Sequence, residues 1–366
     1  MDDNCPECRK YREEGASFCG ACGNMLDCPE CDGYRRNGAA FCGNCGRRLY
    51  VPYEPPKKSG LMFKLSFLLF LFVSIYAIAD ILIIAVGFFD VLDFVGSISY
   101  ALFILVPYPY AFLVFSGAGT QLYWVFLVFM IIMSFSISVK ELITHTGSLK
   151  SLKDEEKITK TSPFWVAVMW PGLILLHLIM VYLISFLTGD VMDTPPTDDI
   201  DVRLQMFVLA SAGVWEEIVS RMLIIGVPMA IIAAVNGKKD SWLNLWGGFG
   251  MSKVSMVLMI ISALVFGFAH MEGWGYIKVI PAAIFGLGCG YLYVKFGLHA
   301  AIMLHLINDY ASVFYWAGYP LFGGLMLLVL MAAGIVSLVI LAYKGYGFAK
   351  NFGDQPVLPP SVEKDG

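Results

Sequence analysis

The sequence has 366 residues, of which 58% are hydrophobic and 15% are charged. This composition is typical of proteins with several membrane-spanning helices, and it excludes a soluble enzyme. The net charge of -4 gives no sign of the basic surface that nucleic-acid binding requires. The first 50 residues are polar and cysteine-rich, so we expect no cleavable signal peptide.

Eight of the nine cysteines lie in the first 45 residues, in two copies of the spacing C-x2-C-x10-C-x2-C with a period of 23. Two thiolates separated by two residues can face one tetrahedral ion, and glycines suit the turns between them. The pattern resembles a double zinc ribbon and predicts two structural zinc ions, with disulfides or an iron-sulfur site as alternatives. The predicted ligands are Cys5, Cys8, Cys19 and Cys22 for one ion, and Cys28, Cys31, Cys42 and Cys45 for the other.

All four ligands of each zinc site are protein groups, which leaves no open position for catalysis. We therefore expect the ribbons to bind a protein partner or to recognise something close to the membrane. Residues 1–50 are predicted to form this unit, 51–60 a proline-rich linker, 61–350 the membrane core and 351–366 a cytoplasmic tail.

The rest of the chain predicts an all-α polytopic membrane protein with about eight transmembrane helices. The second stretch is long enough to hold one span and a re-entrant or interfacial piece, broken near its prolines and glycines. The apolar stretches are 61–86, 97–139, 163–187, 204–235, 254–270, 276–296, 298–316 and 322–343.

Lysine residues predict how these helices are oriented in the cell membrane. They flank the first span, fill the loop between Lys140 and Lys160, and follow the span at 204–235. Because cytoplasmic loops carry the excess of Lys and Arg, we expect both termini in the cytoplasm and the acidic loop Asp190–Asp201 outside. A cytoplasmic N-terminus also agrees with reduced, zinc-binding cysteines.

Three ionisable residues, Glu216, Glu217 and Arg221, lie in the middle of the span at 204–235. Each costs about 2.5–3.5 kcal/mol to insert at mid-membrane, so a function is expected. Glu217 and Arg221 are four residues apart and are predicted to form an ion pair on one helix face. Glu216 lies about 100° further round the helix and needs a partner from another helix. The alternative is a buried polar cluster that only fixes helix packing.

Two histidines in later spans are candidate partners for Glu216. His270 ends an apolar stretch, and His305 lies four residues before Asp309, so this pair projects from one helix face. The other intramembrane polar residues are weaker candidates, because His299 is well round the helix from His305 and Asp80 has no evident partner. His145 and His177 are predicted to be non-catalytic.

These residues form three short motifs on successive predicted helices, within residues 204–315. The motifs resemble the signatures of the CAAX protease and bacteriocin-processing (CPBP) family of intramembrane proteases. That family implies an eight-helix core with the double-glutamate motif on the fourth helix. The motifs are Glu216-Glu217-x3-Arg221, Phe266-x3-His270 and His305-x3-Asp309.

The resemblance implies a role for each motif residue. Glu216 would activate water, and His270 and His305 would bind a metal or assist that base. Asp309 occupies the family's Asn-or-Asp position, where Asn is an oxyanion stabiliser. An ionised aspartate cannot donate a hydrogen bond, so Asp309 is expected to orient His305 or ligate metal, while neighbouring Asn308 is expected to face a different direction.

The leading hypothesis is an intramembrane endopeptidase that cleaves a membrane-embedded or lipid-modified peptide with Glu- and His-activated water. A divalent metal, zinc in particular, is expected to assist, although the same residues can act without one. The second hypothesis is a non-proteolytic scaffold or bacteriocin-immunity-type protein that recruits a partner through its ribbons. A transporter is the third, disfavoured because the sequence has no evident inverted repeat.

Overall fold

The computed structural model describes residues 5, 7–14, 16, 18–23, 26, 28, 30–36, 39, 41–44, 60–105, 109–192, 200–316 and 320–359. The chain forms two compact units, Met1–Lys58 and Ser59–Gly366. Cys45, the predicted linker up to residue 59 and much of the acidic loop lie outside the described residues.

The N-terminal unit contains two short helices, α1 (Glu7–Glu13) and α2 (Cys31–Arg36). The ring of Tyr11 in α1 packs on Gly20, and the ring of Tyr34 in α2 packs on Gly43. A Cβ atom added to either glycine would lie 2.8 or 2.6 Å from the tyrosine hydroxyl. Both pairs are related by the 23-residue sequence period, so these glycines are required by the packing of a ring against the backbone.

The first half of the membrane unit contains long helices and one β-hairpin. Its elements are α3 (Leu61–Val95), β1 (Ser99–Leu105), β2 (Pro109–Ser116), α4 (Ala118–Thr146), a 3-10 turn (Leu149–Lys153), α5 (Glu155–Ile158) and α6 (Ser162–Thr188).

The second half begins with one long helix, which we call the central helix. It consists of α7 (Val202–Ser211), two π-helical segments (Ala212–Glu216 and Ile218–Gly226) and α8 (Val227–Val235). The elements after it are a 3-10 turn (Ser241–Trp246), α9 (Lys253–Ala269), α10 (Met271–Trp274), a 3-10 turn (Tyr276–Lys278), α11 (Val279–Lys295), α12 (Leu298–Tyr310), α13 (Val313–Trp316) and α14 (Pro320–Lys350).

Six helices of the described chain are long and apolar enough to cross a membrane, and α9 is a shorter apolar helix. The chain is therefore a multi-pass membrane protein with a mostly helical core, as predicted. The expected count of about eight spans is not confirmed, because α9 has 17 residues and α12 only 13. The six are Leu61–Val95, Ala118–Thr146, Ser162–Thr188, Val202–Val235, Tyr276–Lys295 and Gly323–Gly347.

The stretch 97–139 was predicted to hold one span and a re-entrant or interfacial piece, and the part before the span α4 is an antiparallel hairpin. Ser99 lies opposite Ser116 and Leu102 opposite Leu113, after which Phe112 is an extra residue in β2. Gly117 has a φ of 58°, which L side chains rarely adopt, and it separates the hairpin from α4. A continuous apolar run fits a buried strand as well as a helix, so hydrophobicity alone did not separate the two.

The central helix departs from regular α geometry where the ionisable residues lie. Its two π-helical segments flank Glu217, and the second ends at Gly226, two residues before Pro228. Proline donates no backbone hydrogen bond and crowds the preceding turn, which favours a wider turn at that point. π-helical turns are uncommon and often occur at functional sites.

Helix α12 lies at the centre of the membrane unit. All its residues from Leu298 to Ile307 are buried, and it packs against the central helix, α4, α6 and α11. Gly213 lets the central helix approach α12 closely, since a Cβ there would lie 3.3 Å from the Leu306 backbone. This approach brings the carboxylates of the central helix to the side chains of α12.

Candidate active site

Glu217 and Arg221 form the ion pair that their spacing predicted. The Arg221 Nε donates to Glu217 Oε2 at 3.0 Å, and both side chains are fully buried. Arg221 also donates to the Ser262 hydroxyl at 2.6 Å, and its guanidinium carbon lies 5.0 Å from the centre of the Phe266 ring. The charge is therefore held by an acid, a hydroxyl and an aromatic face.

Glu217 has a second partner that the sequence did not reveal. Its other oxygen, Oε1, lies 2.8 Å from Nδ1 of His305 on α12. A carboxylate paired with arginine accepts hydrogen bonds, so His305 donates from Nδ1. Nε2 lies on the opposite edge of the ring. Glu217 thus fixes both Arg221 and the orientation of His305.

Glu216 faces that opposite edge of His305. Its Oε2 atom is buried, has no hydrogen-bond partner among the described residues and lies 4.0 Å from His305 Nε2. The side chain as a whole keeps 31% exposure, because it borders two cavities. A buried carboxylate oxygen without a partner is costly and therefore a candidate for contact with a ligand or water.

Asp309 and Asn308 lie beside this pair. Asp309 Oδ2 is 3.5 Å from His305 Nε2, and the Asn308 amide donates to Asp309 Oδ1 at 3.1 Å. Both residues line the same cavity as Glu216. Contrary to the expectation that Asn308 faces a different direction, its amide contacts Asp309 and both side chains line the cavity.

His270 ends α9 and lines both cavities with Glu216. Its Nδ1 lies 2.8 Å from the Phe266 carbonyl, which can only accept, so Nδ1 donates and Nε2 is free. The Phe266 ring lies 4.6 Å from the His270 ring and 5.8 Å from the His305 ring, between centroids. Phe266 therefore separates and orients the two histidines.

The first cavity, which we call the hairpin-side cavity, has a volume of about 440 Å³. It lies between β1, the first half of the central helix and the end of α9, and it is bordered by Glu216 and His270. The residues that complete its wall are Tyr100, Ala101, Leu102, Phe103, Val208, Ser211, Ala212, Trp215, Val219, Ala269, Glu272, Gly273 and Trp274.

The second cavity, the histidine-side cavity, has a volume of about 520 Å³ and contains Glu216, His270, His305 and Asp309. All four sequence-predicted catalytic residues therefore line this one cavity, and Glu216 and His270 also line the hairpin-side cavity. Its remaining polar wall residues include His177, Lys278, Asn308 and Ser312.

Two of these wall residues were not assigned to a site from the sequence. His177 was expected to be non-catalytic, and Lys278 was not singled out, yet both line the histidine-side cavity. The Lys278 ammonium lies 4.5 Å from the centre of the Trp274 ring. Neither residue belongs to a spaced motif. The only available signal was a polar side chain in an apolar stretch.

His299 and Asp80, the other intramembrane polar residues noted in the sequence, do not line either cavity. His299 contacts Glu141 at 3.2 Å and the Ser162 hydroxyl at 3.2 Å, at the opposite end of α12 from His305. Asp80 is fully buried in α3, and neither of its oxygens has a hydrogen-bond partner among the described residues.

The cysteines of the N-terminal unit form two clusters. The ligand sulfurs of Cys5, Cys8, Cys19 and Cys22 lie within 4.8 Å of one another, as do those of Cys28, Cys31 and Cys42. Sulfur pairs are 3.5–4.0 Å apart, close to the edge of about 3.8 Å of a tetrahedron with zinc-sulfur bonds of about 2.3 Å. These clusters suit structural zinc. The fourth predicted ligand of the second site, Cys45, lies outside the described residues.

Comparisons with known proteins match the N-terminal unit and part of the membrane unit to two different family models. Residues 201–311 match the family model of Type II CAAX prenyl endopeptidase Rce1-like proteins, and residues 5–46 match that of the double zinc ribbon. No curated protein and no solved structure matches the chain. The resemblance predicted from the motifs is confirmed: the chain carries an Rce1-like CAAX prenyl endopeptidase domain behind a double zinc ribbon.

Proposed function

We propose that the protein is an intramembrane endopeptidase and that Glu216 is its general base. The observation that carries this proposal is the unpartnered carboxylate oxygen of Glu216, 4.0 Å from His305 Nε2 and on the wall of two cavities. The match to an endopeptidase family supports it. A water bound between Glu216 and the histidines would satisfy the oxygen and be placed to react.

In the proposed reaction, Glu216 takes a proton from this water while the water oxygen attacks a peptide carbonyl carbon. The tetrahedral intermediate then loses its amine, which receives the proton from Glu216 as the carbon-nitrogen bond breaks. The water donates its second hydrogen to Nε2 of His270, while His305, whose Nε2 lies 4.0 Å from Glu216, positions that carboxylate. Glu217 contributes indirectly, because it fixes the tautomer and the plane of His305.

The oxyanion formed in this step needs a hydrogen-bond donor. Asp309 cannot donate while ionised, but the Asn308 amide has two N–H groups and uses one of them on Asp309. We assign the second N–H of Asn308 to the oxyanion, and we assign Asp309 the role of orienting Asn308 and His305. The amide of Asn308 would then donate to the oxyanion in place of the asparagine that other family members have at the position of Asp309.

A catalytic divalent ion fits poorly at Glu217, Cys289 and His305, the described side chains of the membrane unit whose ligand atoms lie within 4.8 Å of one another. Both oxygens of Glu217 already accept hydrogen bonds, from Arg221 and His305, so an ion there would displace a buried arginine from its partner. On the other edge of His305, Nε2 lies 4.0 Å from Glu216 and 3.5 Å from Asp309, so these residues would hold an ion that polarises the water. The proposed steps use only the protein groups.

The substrate is proposed to be a membrane-associated peptide, lipid-modified or membrane-embedded. The site is reached through cavities in an otherwise apolar helix bundle, which a water-soluble globular protein cannot enter without unfolding. For the ribbons, we propose one structural zinc ion in each cysteine cluster and recruitment of a protein partner.

Mass spectrometry of a peptide library incubated with the purified full-length chain in detergent tests this function. The unmodified chain should release defined products, while Glu216→Gln and His305→Ala should release none. Asp93→Asn, which alters an exposed acid at the end of α3, is the matched control and should cleave normally. Cleavage by both site variants at the unmodified rate would refute the proposal.

A further inference from the structure

Strand β1 borders the hairpin-side cavity with four consecutive residues, Tyr100 to Phe103. Successive side chains of a strand point to opposite faces of its sheet. A cavity that touches four residues in a row therefore runs along the edge of the strand, where the backbone groups are.

The side chains agree with this geometry. Tyr100 donates a hydrogen bond to Ser211 on the central helix at 3.0 Å, and Leu102 is buried, so both point towards the core. Phe103 points away from it and is 43% exposed. Among the described residues the sheet has two strands, so one edge of β1 pairs with β2 and no described strand pairs with the other edge.

One backbone bond shows which groups lie on the open edge. The Phe103 carbonyl accepts a hydrogen bond from the Trp215 indole at 2.8 Å, so this carbonyl points away from β2. The extra residue of the hairpin is in β2, and β1 therefore keeps its two-residue alternation. The Phe103 N–H and both backbone groups of Ala101 then face the same way. No described backbone–backbone hydrogen bond outside the hairpin involves Ala101 or Phe103.

We propose that the substrate binds in extended form along this edge as a third strand, pairing with both backbone groups of Ala101 and with the Phe103 N–H, since the Phe103 carbonyl already accepts from Trp215. This inference rests on the proposed function, because Glu216 and His270 line the same cavity as the edge. An exposed strand edge is a template for a further strand, and added strands are recognised mainly through backbone hydrogen bonds. The pairing would hold a peptide carbonyl beside Glu216 while tolerating many sequences.

Backbone pairing makes a prediction about the peptide alone. In a quenched fluorescent peptide cleaved by the chain, single N-methyl groups are placed on successive amides on both sides of the cleaved bond. An N-methyl group that removes a paired N–H should lower kcat/KM about tenfold or more. Such positions should recur at every second residue on one side of the cleaved bond. Residues between them should lose less than about threefold, because their N–H groups point away from β1.

The enzyme offers a matched pair of variants. Ala101→Pro removes an N–H that faces the cavity, whereas Ser99→Pro removes one of the same orientation outside the cavity wall. Ala101→Pro should lower kcat/KM about tenfold, and Ser99→Pro should keep normal activity. If Ala101→Pro does not fold, the N-methyl series decides alone.

The proposed function and the strand pairing fail in different ways. Cleavage of the unmodified peptide tests only the endopeptidase function. If that peptide is cleaved but N-methyl groups show no two-residue alternation, strand pairing is wrong while the function stands. Equal activity of a folded Ala101→Pro chain and the Ser99→Pro chain would also overturn the pairing.

Discussion

At the residue scale, Glu217 is the side chain on which the site's geometry depends. It is fully buried and binds both Arg221 and His305. Glu217→Gln removes the negative charge and leaves the buried guanidinium of Arg221 without its counter-ion. We expect a loss of about 3–5 kcal/mol in stability, the usual cost of breaking a buried ion pair. Thermal unfolding of the purified chain in detergent measures it.

Ser262→Ala is the control for this variant. It removes only one hydroxyl that accepts from Arg221, so the expected loss is about 1–3 kcal/mol. A Glu217→Gln chain as stable as the unmodified chain would mean that the pair does not support the fold.

Asn308 gives a second prediction at this scale. Asn308→Ala removes the proposed oxyanion donor, so kcat should fall about 10²–10³-fold while KM changes little. Steady-state kinetics on a cleaved peptide separate the two constants. A loss confined to KM would instead assign Asn308 to ground-state binding.

The sequence was a good guide to single residues and a poor one to their contacts. The spacing of Glu217 and Arg221 predicted their pair, because it depends on one helix alone. The bond from Glu217 to His305 crosses between two helices and depends on the close approach at Gly213, which no spacing rule encodes. For the same reason, only the fold shows that His177 and Lys278 line the histidine-side cavity.

At the scale of elements, the sequence predicted the positions of the helices better than the places where the chain departs from regular α-helical geometry. The central helix was expected from its apolar length, but its π-helical segments depend on local packing and on Pro228. The hairpin of β1 and β2 was missed because its apolar residues suit either structure.

The N-terminal unit makes a prediction at this scale. The full-length chain should contain two zinc ions, and Cys8→Ser and Cys31→Ser, which are equivalent positions of the repeat, should each lower the count to one. Elemental analysis after gel filtration gives the number. A count near zero would contradict the ribbons, and a count of three would indicate an ion in the membrane unit.

At the scale of the whole molecule, charge is divided between the two ends of the membrane unit. The ends of α4, α8, α11 and α14, the segments that follow α4 and α8, and the start of α9 carry most of the lysines. At the opposite end, the Tyr276 hydroxyl donates a hydrogen bond to Asp190. This bond links the 3-10 turn before α11 to the residues that follow α6. Glu272, on the rim of the hairpin-side cavity, belongs to this second end.

We predict that the lysine-rich end is cytoplasmic and the acidic end outside. Single cysteines at two exposed positions, Ser148→Cys and Val191→Cys, should react with a membrane-impermeant thiol reagent from opposite sides of sealed vesicles. Mass spectrometry of the labelled peptides separates them from the native cysteines. Labelling of both from one side would show that the number of crossings between them is wrong.

The central claim is that Glu216 activates the water that hydrolyses a peptide bond. The most direct measurement compares kcat/KM of the purified unmodified chain and of Glu216→Gln on one cleaved peptide, with thermal unfolding recorded for both. We predict equal folding and a loss of about 10²–10⁴-fold, the contribution of a positioned general base. Equal kcat/KM for two equally folded chains would contradict it.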